Sequence, residues 1–247
     1  MVELYQIHRL TRALGLAGAV LLFSGCATMG FGNAAEDHAD AASTALKGGD
    51  YDTALEHLRI LRTDHAETDP GQRAMLDEAF IHYRQGRTKE TVELTTRFLD
   101  NHLETASADD HEYALRLRAL AAEQTWDKTA GDTEQTHLAR RAFGFHRDVV
   151  EAYPEGDAAR ESLRAMEKLR DDLASAELQR ARAALEGGEL AEAAERAAWI
   201  AEQYRSARHA GPALALQSEA LDKLGHTREA SATRRMLDVL YPEHARN

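Results

Sequence analysis

Cysteine is nearly absent from this 247-residue chain. Cys26 stands alone, which excludes an internal disulfide and the zinc patterns that pair cysteines with histidines. Proline is almost as scarce. Its four occurrences, Pro70, Pro154, Pro212 and Pro242, all fall where a helical pattern stops or restarts. Aromatic residues make up 6% of the chain, and β-branched residues are thin beyond position 25, which argues against a sheet. Basic residues are outnumbered, 30 Lys and Arg against 42 Asp and Glu, for a net charge of -12. An acidic body of this kind repels phosphate backbones, so nucleic acid is not expected as a partner. What remains is rich in Ala, Leu, Glu and Arg, the strongest helix formers.

The first thirty residues have an order of their own. His8, Arg9 and Arg12 precede an apolar run, Ala13 to Phe23, that ends in Ser24, Gly25 and Cys26. Such a run makes a helix of roughly 16 Å, too short for a hydrocarbon core of about 30 Å. Positive end, apolar middle and small residues before a break form the signature of a secretory signal, expected to span residues 1–25. The ending "LLFSGC" resembles the lipobox of bacterial lipoproteins, with Phe23 in place of the usual Leu, which implies lipid attachment at Cys26. Ala27, where Asp would imply retention in the inner membrane, implies the outer membrane. Residues 26–35, with Gly30 and Gly32, read as a flexible lipidated tether.

Internal similarity dominates the remainder. "ALKGGDYDTALEHLRIL" from Ala45 returns as "ALEGGELAEAAERAAWI" from Ala184, with looser copies from His82 and Leu221. Gly49 and Gly86 are 37 positions apart, as are Gly188 and Gly225, a period close to the roughly 34 residues of a tetratricopeptide unit. These glycines fall where a first helix ends and a left-handed backbone is favoured. Ala54, Ala193 and Ala230 follow five residues later, where a small side chain lets paired helices approach. Thr91 takes that place in the second unit, which predicts looser packing there. Leu58, Phe98, Ile200 and Leu237 supply larger residues. No single hairpin can bury its own apolar face, so the spacing predicts an all-α, tetratricopeptide-like solenoid of about five helical hairpins.

The third unit is less regular. "YALRLRALAAEQ" and "HLARRAFGFHRDVVEAYP" form its helices, with Ala142 as the small residue and a polar loop bearing Trp126 between them. That Trp either folds back on its own hairpin or anchors a partner. Residues 156–180 form a long charged helix whose Leu163, Met166, Leu169 and Leu173 predict one apolar stripe. It runs into the fourth unit and divides the body into repeats 1–3 at 36–155 and repeats 4–5 at 156–247.

Catalytic patterns are missing. The twelve histidines form no His-Glu-x-x-His pair, and His38, His65 and His111 have acidic neighbours on what read as solvated faces. The double glycines lack a preceding strand and a following Lys-Ser or Lys-Thr, and adjacent carboxylates such as Asp109-Asp110 or Asp171-Asp172 diverge on a helix. No catalytic residue, cofactor, metal or small-molecule substrate is expected.

The stretch from His137 to Glu177, an Ala-rich helix ending in Tyr153-Pro154, preceded by an inserted loop and followed by a long Leu-bearing helix, resembles the BamD family, the tetratricopeptide lipoproteins of the outer-membrane β-barrel assembly machinery. "DHAETDPGQRA" and "ETASADDHEYA" replace Tyr-Pro and His-Pro runs that the family carries at two earlier repeat ends. The resemblance implies a non-enzymatic lipoprotein scaffold at the outer membrane, facing the periplasm of a Gram-negative bacterium. Its implied partners are the barrel-forming subunit BamA, other assembly lipoproteins and unfolded barrel proteins. Arg196 matches a family arginine near the surface that docks the last periplasmic domain of BamA. The residues alone leave Arg196 open between that role and a solvated arginine paired with Glu192 and Glu195. A periplasmic tetratricopeptide lipoprotein that organises cell-wall enzymes is the alternative reading.

Overall fold

The computed structural model describes residues 34–102, 104–126 and 133–244, and the signal segment, Cys26 and most of the tether lie outside them. Ten helices follow in order, with no strand among the described residues: α1 (Ala34–Gly48), α2 (Tyr51–Asp64), α3 (Asp69–Arg84), α4 (Thr88–Asn101), α5 (Ala108–Gln124), α6 (Thr133–Ala152), α7 (Asp157–Glu186), α8 (Leu190–Gln203), α9 (Ala210–Lys223) and α10 (Thr227–Leu240). The first helix opens at Ala34, two residues inside the stretch assigned to the tether, because Ala35 is already buried in the first hairpin.

Four helices end by one device. Gly49, Gly86, Gly188 and Gly225 have φ of 75°, 73°, 81° and 82°. At each, the next residue's N–H reaches back five residues: Asp50 to the Ala45 carbonyl at 2.9 Å, Arg87 to His82 at 2.8 Å, Glu189 to Ala184 at 2.8 Å and His226 to Leu221 at 2.9 Å. This closure satisfies carbonyls that a helix end otherwise leaves orphaned, and a Cβ would oppose the backbone it requires. The chain then turns straight into the second helix of each hairpin.

Ala54, Ala193 and Ala230 are completely buried at the hairpin crossings. Thr91 is just as buried. Its hydroxyl lies 3.3 Å from the Ala79 carbonyl of α3 and 3.0 Å from that of Arg87, so the expected looser packing does not occur. Phe98, Ile200 and Leu58 fill the grooves beside them. Each helix packs on its successor, and α1, α3, α5, α7 and α9 also touch one another in series, whereas the even helices do not. The odd helices therefore form the inner layer of the stack and the even helices its outer layer.

The 30-residue α7 joins two hairpins, packing its first half on α6 and its second half on α8. Its stripe differs from the expected one. Leu169 and Leu173 are buried, but Leu163 is 50% exposed and Ser162 takes the inward position. The reason is polar: His146 of α6 is buried there, with Nδ1 3.2 Å from the Ser162 hydroxyl.

Candidate interaction surface

Buried polar seams fasten the hairpins together. His146 Nε2 lies 3.6 Å from Glu123 of α5, whose other oxygen accepts from Lys168 of α7 at 3.3 Å. Glu123, His146 and Ser162 thus have the composition of a hydrolytic triad, yet His146 and Ser162 are each 2% exposed, and no substrate can reach the hydroxyl. Their work is to pin α5, α6 and α7. Nothing local in the sequence announced the trio, since its members lie on three different helices. Histidines assigned to solvated faces also take part in packing. The Nδ1 atoms of His38 and His57 are 2.9 Å apart, and His111 Nδ1 lies 2.9 Å from the Tyr153 hydroxyl, because neighbouring helices bring these half-buried rings together. Among the described residues, no group of three or more His, Cys, Asp and Glu is placed to hold a metal.

These seams make the fold acid-sensitive. Burial pushes His82 and His209 below the ordinary imidazole value, and the close approach of His146 together with the hydrogen bond from Lys168 holds the Glu123 carboxyl below the carboxylate range against its own desolvation. In all three the unfolded chain binds protons more readily than the fold. Their contribution is therefore complete above the unfolded values, about 6.5 for His and 4.3 for Glu, and is lost as pH falls. Asp77, raised by burial, acts in the opposite direction. The thermal midpoint followed by circular dichroism should begin to fall as pH drops below about 6.5, and His82→Gln should flatten the upper part of that decline. A midpoint constant from pH 7 to 5 would exclude the histidine contribution.

Arg196 projects from α8 at the α7–α8 crossing. Its Nε donates to Glu192 at 2.8 Å and its Nη1 to Glu177 of α7 at 3.4 Å. The second carboxylate is thus Glu177, from the neighbouring helix, and not the expected Glu195. Glu177 is 8% exposed and also accepts from Arg180, which reaches Thr136 of α6 at 3.3 Å. The hydrogen bond to Glu192, above all, raises the Arg196 pKa and keeps it charged. Its side chain remains 37% exposed. The guanidinium is held in place by one buried carboxylate, Glu177, and one exposed carboxylate, Glu192.

Beside it lies an aromatic group that the repeat pattern does not single out. Trp199, one turn beyond Arg196, meets Tyr204 edge-on at 5.1 Å, and the Arg140 guanidinium of α6 sits 5.5 Å from the indole centroid. Helical spacing from Arg196 was the available signal. Trp126, the tryptophan expected to matter, packs half-buried against Ala122, Ala139, Ala142, Leu169 and Leu173, with its indole N–H buried and unbonded among the described residues. The ring lies against neighbouring helices and is only partly exposed, as Trp199 is. Arg196, Trp199, Arg140 and Tyr204 together form a half-exposed patch of Arg and aromatic side chains on the outer layer, the residue types in which interface energy concentrates.

The profile of the outer membrane lipoprotein family YfiO matches residues 34–236, from the first residue of α1 into α10. The chain belongs to this family. The YfiO span takes in the first four hairpins, most of the fifth and the whole of the Arg196 patch. Among individual proteins, the outer membrane protein assembly factor BamD of Neisseria meningitidis serogroup A is 28% identical, over 95% of this chain and 91% of its own. BamD of Haemophilus influenzae is 25% identical over 80% of this chain and 77% of its own. A solved MamA structure aligns with 83% of this chain and 91% of its own at 18% identity, with a TM-score of 0.35. No described helix of this YfiO-family chain is long and apolar enough to cross a membrane.

Proposed function

We propose that this protein is a non-catalytic scaffold of outer-membrane β-barrel protein assembly, lipid-anchored through Cys26 and facing the periplasm. The similarity to proteins named as assembly factors, extending over 95% of the chain, carries the reading. The lipobox-like "LLFSGC" and the five-hairpin stack support it. The C-terminal hairpins hold the BamA-type barrel-forming subunit and other assembly lipoproteins, with Arg196 offering a bidentate contact to a partner carboxylate. The N-terminal hairpins engage unfolded barrel proteins.

Capture of a BamA-type subunit by the processed protein is the test. Arg196→Glu should reduce it about tenfold or more, the worth of a charge-assisted hydrogen bond of about 1.5 kcal/mol or above. Because a glutamate there would crowd Glu177 and Glu192, Arg196→Gln is the companion variant, with helicity checked for both. Undiminished capture by folded variants removes Arg196 from the interface, and recovery of amidases or synthases in place of a barrel subunit favours the organiser of cell-wall enzymes. Cys26→Ala should release the protein from the membrane fraction.

A further inference from the structure

A second surface lies apart from the Arg196 patch. A cleft of about 560 Å³ opens where the first half of α7, the α8–α9 connection and the end of α10 converge. That volume is within the range of ligand sites. Two contacts fix its walls: Arg208 binds Asp171 of α7 through both its backbone N–H at 3.2 Å and its Nε at 3.0 Å, and the Tyr241 hydroxyl donates to the Arg205 carbonyl. Lys168 at the rim is committed to Glu123 and Asp172.

Three further cations of the lining, Arg164, Arg170 and Arg205, have no carboxylate partner among the described residues. On a chain of net charge -12, the lining of this cleft holds five Lys and Arg against three Asp and Glu, a local cationic surplus. The cleft does not have the form of a phosphate site. The backbone N–H of Arg208 is already taken by Asp171, and the cations face the cleft from two separate segments, α7 and the α8–α9 connection, not from one compact cradle. Long guanidinium forks around an open cleft suit separate carboxylates on an extended chain, and Glu167 can accept a peptide N–H. We infer that this cleft binds an extended acidic peptide segment of a partner protein. No residue of the cleft belongs to the Arg196 patch, so this inference and the assembly role stand or fall separately.

Fluorescence anisotropy of a fluorescein-labelled octaglutamate peptide, titrated with the detergent-solubilised full chain at low salt, tests the site. Saturable binding is expected. Arg164→Ala and Arg205→Ala should each weaken it about tenfold, while Arg97→Ala, exposed on α4, should change it less than about twofold, all with unchanged helicity. Absence of saturable binding overturns the proposal. So does equal weakening by Arg97→Ala, which would mean diffuse attraction. Phosphatidylglycerol vesicles form the second arm: if the cleft variants lose vesicle binding but not peptide binding, the cleft serves a lipid surface and the peptide assignment is wrong.

Discussion

Gly71→Ala should lower the stability of this protein by about 3 kcal/mol, the upper part of the range for overpacking a closed site. A Cβ built on Gly71 would lie 2.0 Å from the His65 carbonyl oxygen, 2.7 Å from its carbon and 3.1 Å from the Ala66 Cα. All three are backbone atoms, so no side chain can rotate aside. The carbonyl cannot withdraw cheaply either, because it accepts both the Thr68 N–H at 3.0 Å and the Thr68 hydroxyl at 2.7 Å, and that hydroxyl in turn caps α3 by accepting from Gly71 N–H. Relief would therefore dismantle the cap that seats the second hairpin on the first.

Gly144 supplies the contrast. It lies within α6 with nothing inside 4 Å of the place a Cβ would occupy, so Gly144→Ala should stabilise by up to about 1 kcal/mol through helix propensity alone. Paired urea titrations check both signs. At 2–4 °C per kcal/mol for a chain of this size, Gly71→Ala should also lower the thermal midpoint by roughly 6–12 °C. A Gly71→Ala protein as stable as the parent would mean that the α2–α3 turn does not approach α3 this closely.

The repeats were legible because their determinants are local. A glycine that must take positive φ, followed five residues later by a residue small enough for a helix crossing, leaves the same mark wherever the hairpin recurs. Thr91 shows the limit of that logic: size alone makes it a misfit, but its hydroxyl reaches the Ala79 carbonyl across the crossing and satisfies itself there. Leu163 fails for the complementary reason. Periodicity assigns the inward face to apolar residues, and it cannot see that His146, 16 positions away on another helix, brings Ser162 inward. Arg196 itself was singled out through the family resemblance, but its surroundings and the cleft were not readable, for the same cause. The pairing of Arg196 depends on Glu177 across the α7–α8 crossing, and the cationic cleft is gathered from α7, a connection and a chain end that are some forty residues or more apart in places.

Phe98→Ala should be more damaging still, at about 3–5 kcal/mol, the range for deleting a fully buried aromatic ring. Phe98 is 1% exposed and packs with Leu76 of α3, Leu99 of α4, Ala114, Leu115 and Ala119 of α5, Val149 of α6 and Ala158 of α7. The ring thus fills the junction of the second and third hairpins, and the rigid helices around it can collapse only partly into the space it leaves. Because each hairpin contacts only its neighbours, the loss should stay local. Hydrogen exchange should quicken in α1–α5 and leave α8–α10 near their original protection. Under the proposed scaffold role, the variant should still capture a barrel subunit at temperatures where the N-terminal hairpins have already unfolded. Exchange that quickens equally in all ten helices would show a single cooperative body, in which neither surface could outlast the other.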